Sequence, residues 1–328
     1  MKALVYTKPL EVTYRDEPNP AVLPGEALVR VDAVGICGSD MHGYHGHDPR
    51  RVPPLVLGHE AAGEVIAGAA KGRRVVLNPL VTCGLCDYCL GGRANLCPER
   101  KLIGMNRQGA FAELIAMPEE NLIEAPAGMS ATAAAVTEPA ATALHAVHLG
   151  VRALARPLSE GKTLVLGGGS VGLLSALWAQ AMGGRRVLLG ETNALRRSSV
   201  KDAGVEAYDP VATQPDPNGF DLVIDAVGAS ATRQAAIRSV KPGGVIVHIG
   251  LMDSAGAADW RKITLQEVTL IGTYTYTAVD LTASAAALHE GRLGKLAWVE
   301  ERPLSDGARA FADLDHGRTA AAKIVLRP

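Results

Sequence analysis

A short apolar run that empties into a glycine turn at the mouth of a helix narrows the fold of this chain more than any other stretch. Leu164-Val165-Leu166 leads into Gly167-Gly168-Gly169-Ser170-Val171-Gly172, a G-x-G-x-x-G spacing, and the helical run 171–181 follows. Gly167 permits the tight turn, Gly169 lets the backbone approach a pyrophosphate, and Gly172 lets the helix pack closely on the strand. Ser170 and Val171 begin the helix whose positive end faces the phosphate. Around this turn, strands at 163–166, 187–190, 220–225, 245–250 and 268–272 alternate with helices at 171–181, 195–203 and 231–240, the last ended by Pro242-Gly243-Gly244. Such alternation predicts a parallel, doubly wound α/β sheet.

The second of these strands runs up to Glu191, nineteen residues after Gly172. A carboxylate there accepts hydrogen bonds from the adenosine ribose hydroxyls and repels an added 2'-phosphate, which favours NAD over NADP. Arg196 and Arg197 follow on the next helix, where they either contact the ribose or a 2'-phosphate or form a solvated face. Ala226-Val227-Gly228 and Ile249-Gly250-Leu251 end successive strands on the same edge, extending the nucleotide site to Val227, Gly250 and Leu251. No Gly-Lys-Ser/Thr follows the glycines, which argues against a phosphate-hydrolysing loop.

At 328 residues the chain holds roughly two domains. Its 33 Lys+Arg against 34 Asp+Glu leave a formal charge of -1, so no basic excess exists to bind nucleic acid or an anionic membrane. The 22 uncharged residues 163–184 pass a crude membrane window, but they open on the glycine turn and read as a buried strand-turn-helix. No export signal is read at the amino terminus, and a cytoplasmic location is expected.

Four of the five cysteines, Cys83, Cys86, Cys89 and Cys97, have the spacing C-x2-C-x2-C-x7-C. Zinc in a closed thiolate tetrahedron explains that spacing better than free thiols or a redox cluster, with Gly84, Gly91 and Gly92 freeing the loops to wrap it. A four-sulfur site has no open position and is structural. Its local charge of about -2 could be offset by Arg93, Arg100 and Lys101. The flanking sequence to about residue 140 is rich in short alternating runs, such as 26–31 and 73–77, and reads as an antiparallel β domain. A helix near 283–289 and a last strand at 323–326 are expected to return to it. The division is 1–141 with 278–328, including the lobe 83–97, against 142–277.

The fifth cysteine, Cys37, lies in Val34-Gly35-Ile36-Cys37-Gly38-Ser39-Asp40-Met41-His42, and Gly58-His59-Glu60 follows. A thiolate and an imidazole are good zinc ligands, and with the other cysteines assigned, a third protein ligand must be His, Asp or Glu. Glu60 and Glu138 are the candidates.

Cys37-Gly38-Ser39-Asp40, Gly58-His59-Glu60, the cysteine lobe and the turn Gly167 to Gly172, in this order, resemble the zinc-dependent medium-chain dehydrogenases. Gly-Ile-Cys-Gly-Ser-Asp and Thr137-Glu138-Pro139-Ala140 are most similar to the polyol, butanediol and threonine dehydrogenase branch. The resemblance implies a GroES-like β-rich catalytic domain beside a Rossmann coenzyme domain, and two zinc ions per chain. It places the catalytic zinc on Cys37, His59 and either Glu60 or Glu138, so Glu60 counts among both the metal and the catalytic candidates. It also implies that Ser39 takes the alcohol proton, that His42 is an outlet to water, that Asp40 orients His59 and that Thr142 touches the nicotinamide. An open zinc position beside that ring would favour the alkoxide and make its C–H a hydride donor.

The expected partner is a small alcohol or ketone, with NAD as coenzyme and a homodimer or homotetramer joined along 268–272. Relatives in this branch often carry Arg where this chain has Thr275, which counts against a sorbitol-like substrate. Arg50 and Arg51 are expected to be a solvated pair rather than an anion contact. Two other readings stay open: an amino-alcohol dehydrogenase anchoring a threonine-like carboxylate on Arg50 or Arg51, and a non-catalytic NAD(H)-binding sensor.

Overall fold

The computed structural model describes residues 1–328. Its first half comprises β1 (Lys2–Lys8), β2 (Glu11–Asp16), β3 (Glu26–Gly35), α1 (Gly38–Tyr44), β4 (Leu55–Val56), β5 (Glu60–Ala67), β6 (Arg74–Leu77), β7 (Leu80–Val81), α2 (Asp87–Leu90), β8 (Lys101–Leu102), β9 (Leu114–Pro118) and β10 (Leu122–Glu124). Period-2 burial drives these strands together: in β3, Ala27, Val29, Val31 and Ala33 point inward while Arg30 is exposed.

The second half comprises α3 (Ala131–Ala153), β11 (Thr163–Leu166), α4 (Ser170–Ala181), β12 (Val187–Gly190), α5 (Ala194–Asp202), β13 (Glu206–Tyr208), β14 (Phe220–Asp225), α6 (Ser230–Ser239), β15 (Val240–His248), α7 (Trp260–Leu265), β16 (Thr269–Gly272), α8 (Ala278–His289), β17 (Val299–Pro303), α9 (Gly307–Asp315) and β18 (Lys323–Arg327). Its six-stranded sheet has the order β13-β12-β11-β14-β15-β16, every neighbour parallel. The strand order reverses between β11 and β14, so the crevice at their carboxyl ends is where a nucleotide crosses such a sheet.

The larger β-domain sheet runs β10-β6-β5-β3-β18-β17, with β9 also on β3. The last strand, β18, pairs antiparallel with β3 through Val325 opposite Gly35, which joins the carboxyl-terminal strand to the β-domain sheet. The uncharged stretch 163–184 forms β11, the glycine turn and α4, and no helix is long and apolar enough to cross a membrane.

Three details differ from the sequence-based expectation. Residues 240–244 open β15 instead of ending the preceding helix, because Val240 already pairs with Phe220. The helix expected near 283–289 begins at Ala278, where the Thr277 and Asp280 side chains form a reciprocal cap. The division at 141/142 falls inside α3, one unbroken 23-residue helix whose first turn is capped by the Ser130 hydroxyl. Ala-rich α3 packs Ala33, Ala62 and Val76 of the β domain and Leu222 and Val247 of the parallel sheet into one continuous core. Leu281, Leu288 and Trp298 join that same core, whereas Leu304, Phe311, Ile324 and Leu326 pack with the β domain. The carboxyl-terminal segment thus contributes to both cores, with Val325 of β18 in the shared core beside Trp298, and no switch falls at 278.

Candidate active site

Pairing of β3 with β5 sets Gly35 opposite Glu60, which brings Cys37, just past the end of β3, beside His59, just before the start of β5. Gly35 has to be glycine, since a Cβ there would fall 2.2 Å from a Glu60 carboxylate oxygen. One potential ligand atom each from Cys37, His59 and Glu60 lies within 4.8 Å of the others. Both ring nitrogens of His59 lack a strong partner. Nε2 is 3.5 Å from the Ser39 hydroxyl, while buried Nδ1 faces Asp40 Oδ1 at 3.4 Å without completing a hydrogen bond. A thiolate, an incompletely bonded buried imidazole and a carboxylate together fit a zinc ion.

Asp40 is fully buried on α1, where it accepts from the Cys37 amide at 3.0 Å. Burial pushes its carboxyl up, but His59, Arg51 and the Cys37 amide outweigh that and hold it below the usual range. Burial works against a charged His59 as well. Asp40 and Cys37 reverse the balance and raise it well above an ordinary histidine.

Glu138 is buried on α3 near this group without joining the tight three-residue set. Burial and the Glu60 charge push its carboxyl up to about 7, against the pull of His59, Tyr276 and Lys323. The Tyr276 hydroxyl is buried nearby with no hydrogen bond of normal length, and burial followed by the Glu138 charge raises it well above an ordinary tyrosine. Thr142 lies one turn beyond Glu138 on the same face of α3.

Sequence reasoning missed Lys323. Its fully buried ammonium donates to Glu60 Oε1 at 2.7 Å, to Glu60 Oε2 at 2.5 Å and to the Ile36 carbonyl at 2.8 Å. The pairing with Glu60 and the Cys37 charge overcome burial, so Lys323 is held above its ordinary pKa. A lysine opening the apolar strand Ile324-Val325-Leu326 was the available signal, because a charge buried there needs a counter-charge.

Arg51 requires a correction: it is not a solvated charge. Its side chain is 1% exposed, donating to Asp48 at 2.6 Å, to the Gly104 carbonyl at 3.1 Å and to the Ser39 hydroxyl at 3.3 Å. Arg50 is exposed as expected, but its fork grips Asp48. His42 is half-buried. Burial, then His47, Arg51 and His45, hold it below the usual histidine range.

The four lobe sulfurs form the second cluster, with Sγ separations of 3.5 Å for Cys86–Cys89, 3.6 Å for Cys97–Cys83 and 3.9 Å for Cys83–Cys89. A tetrahedron with Zn–S bonds of about 2.3 Å has edges of about 3.8 Å, so these separations fit zinc. The amides of Leu85 and Cys86 pull the Cys83 thiol down to about 6. Despite the Cys89 amide, burial and its sulfur neighbours push Cys86 up to about 11. Of the basic residues expected to offset this charge, Arg100 donates to the Cys97 carbonyl at 2.8 Å and lies over Tyr274 of the coenzyme half, and Arg93 lies over the Tyr88 ring.

At the glycine turn, Gly167 has a φ of +98°, and a Cβ on Gly172 would fall 1.9 Å from the Gly167 carbonyl oxygen, so both positions demand glycine. Gly169 faces open space, with nothing within 4 Å of a Cβ. Ser170 and Val171 form the first turn of α4. Glu191 is buried beside the turn, accepting from the Gly168 amide at 2.8 Å and the Asn193 amide at 2.7 Å, with Arg196 3.5 Å away. Arg197 instead bonds the Glu191 carbonyl and pairs with Asp209. Val227, Gly250 and exposed Leu251 lie on two loops pressed together, where Asp225 accepts from the Val227 and Gly228 amides.

Residues 23–127 match the alcohol dehydrogenase GroES-like domain family, and residues 170–290 match the zinc-binding dehydrogenase family. The chain is 31% identical to an L-threonine 3-dehydrogenase of Chelativorans sp. (strain BNC1), over 99% of this chain and 98% of that protein. It is 30% identical to a sorbitol dehydrogenase of Halalkalibacterium halodurans, over 100% and 99% respectively. Among solved structures, a zinc-binding dehydrogenase from Sinorhizobium meliloti 1021 bound to NADP superposes with a TM-score of 0.88 at 29% identity, covering 100% of this chain and 99% of that one. Alcohol dehydrogenase TADH from Thermus sp. ATN1 gives 0.89 at 28% identity, with the same coverage. The chain belongs to the zinc-dependent medium-chain dehydrogenases, the two-domain oxidoreductases that act on CH–OH groups.

Proposed function

We propose that this enzyme is an NAD-dependent dehydrogenase of secondary alcohols or polyols, with one catalytic and one structural zinc per chain. The observation that carries this reading is the convergence of Cys37, His59 and Glu60 within 4.8 Å, with Glu138 alongside on the helix that joins the two domains. Zinc held there supplies Lewis acidity toward an alcohol oxygen, and the nicotinamide accepts hydride. Cys37, His59 and one or both of Glu60 and Glu138 hold the metal. Asp40 faces the outer nitrogen of His59 and fixes the ring. Ser39 takes the alcohol proton, and His42, three residues on along α1, carries it toward water. Thr142 supports the coenzyme ring from α3.

Glu191 supports NAD over NADP. Its carboxylate is fixed against the glycine turn by two backbone amides and lies where a 2'-phosphate would meet negative charge. A threonine-like substrate is less well supported, because Arg51 is buried and Arg50 is occupied by Asp48, so neither offers a free fork to a carboxylate. A reducing, cytoplasmic compartment suits five unbridged thiols. The unpaired edge of β16, with Leu270 exposed, supports pairing with a second copy into a homodimer or homotetramer.

The test is a panel containing 2,3-butanediol, sorbitol and L-threonine, read by reduced-nicotinamide absorbance with NAD and NADP in parallel. A diol or polyol with NAD should win, and C37A should abolish turnover while the lobe retains its zinc. Highest kcat/KM for threonine, equal use of NADP, or full activity of C37A would each overturn the corresponding part.

A further inference from the structure

Arg51 sits in a slot built for it. A Cβ on Gly43 would fall 2.5 Å from Arg51 Cδ, so only glycine at that position of α1 lets the side chain pass. Beyond the slot, Asp48 Oδ2 takes one arm of the guanidinium at 2.6 Å, the Gly104 carbonyl takes Nε at 3.1 Å, and the other arm reaches Ser39 Oγ at 3.3 Å. Asp40 and His42 are the other charged or titratable neighbours that feel it. Burying a guanidinium is costly, and pairing with Asp48 alone did not require the second arm to reach the active site.

We infer that Arg51 is a positioning residue that sets the direction of the proton route through Ser39. A guanidinium donates and cannot accept, so Ser39 Oγ must be the acceptor in this contact and its own hydrogen must point elsewhere. Ser39 Oγ has one other contact, His59 Nε2 at 3.5 Å, which a bound metal would occupy; with one lone pair engaged by Arg51, the other would then take the alcohol O–H and the Ser39 hydrogen would turn to an onward acceptor leading to His42. During oxidation the alcohol proton bonds to Ser39 Oγ while the original Ser39 hydrogen leaves toward His42. The substrate C–H bond breaks with its electron pair going to the nicotinamide, and a carbonyl remains. Without Arg51, the Ser39 hydrogen is free to turn toward the substrate oxygen, which opposes deprotonation.

The inference rests on the dehydrogenase reading above, and a double-mutant cycle separates the two. R51M should lower kcat about 10-fold, a fraction of what positioned proton transfer supplies, with the KM for NAD unchanged and a larger solvent deuterium isotope effect. In an S39A background the same substitution should change kcat less than 2-fold. R51K should recover part of the loss and also serves as the test if R51M does not fold. Outside turnover, NADH fluorescence and zinc content should match wild type, and crystals of R51M should show the Ser39 side chain rotated away from its present position. Equal losses in both Ser39 backgrounds, or an unmoved Ser39, would overturn the inference and leave the dehydrogenase reading standing. A wild-type enzyme that binds NADH but oxidises no alcohol would take down both.

Discussion

Replacing Glu138 by Gln should stabilise the zinc-free protein, by an amount that grows with pH. Burial, reinforced by the neighbouring Glu60 charge, raises the Glu138 carboxyl from an ordinary 4.5 to about 7. The folded state therefore holds this proton more tightly than the unfolded chain, and wild-type stability falls as pH rises from about 4.5 to about 7. The full penalty is present above that range. Each tenfold gain in proton affinity is worth ~1.4 kcal/mol, so the penalty comes to ~3 kcal/mol at pH 8 and ~1 kcal/mol at pH 5. Glutamine keeps the shape and carries no charge at either pH. Urea unfolding of chelator-stripped wild type and E138Q at both pH values isolates the effect, since loss of the lobe zinc is common to the pair. The expected difference of differences is ~2 kcal/mol in favour of E138Q at pH 8. Restoring zinc should erase the advantage, because the dication compensates the carboxylate. An equal gain at both pH values would refute the reasoning, as would no gain at pH 8.

K323M breaks a buried ion pair by removing one partner, and a cost of about 3–5 kcal/mol is expected from urea unfolding, much of it recovered in the E60Q/K323M double variant. C97S removes a fully buried lobe sulfur, so elemental analysis should fall from two zinc ions per chain to one. E191A removes the carboxylate beside the glycine turn and should lower the preference for NAD over NADP at least ~10-fold in kcat/KM. Zinc added to stripped protein should release more protons at pH 6.5 than at pH 8.5, because His59 and Glu138 are raised in the metal-free state. Calorimetry in two buffers of different ionisation enthalpy measures this.

What could be read from the sequence was local. The glycine turn, the four-cysteine lobe and the segments around Cys37 and His59 each place their chemistry within a few residues, and the parallel strands announce themselves by alternating with helices. Contacts that close over long separations were hidden. Arg51 looks solvated beside Arg50 because the slot at Gly43 and the distant Gly104 carbonyl that receives it appear only in the fold. Lys323 reaches Glu60 across 263 positions of chain. The domain division at 141 followed a change in composition, which an alanine-rich helix shared by two cores does not respect. Tyr276 carried no signal in the sequence: it is buried near Glu138 just after Thr275, whose φ of +47° turns the backbone there.

Lys323 also changes how the choice between Glu60 and Glu138 should be framed. Zinc with one thiolate, one carboxylate and a neutral imidazole is already balanced, which makes the two glutamates look like competitors. The structure adds a buried ammonium to the count, so three anions, Cys37, Glu60 and Glu138, stand against Lys323 and a dication, and the set is neutral with His59 uncharged. Both glutamates can then be ionised at once in the loaded site, one held by Lys323 and either able to approach the metal. Without zinc, the same enclosure is left with excess negative charge. Asp40 and then Cys37 raise His59 against its burial, while burial and then Glu60 raise Glu138, so each favours the protonated form. Protons and zinc thus answer one electrostatic demand, and Lys323 sets its size by holding one buried positive charge against Glu60.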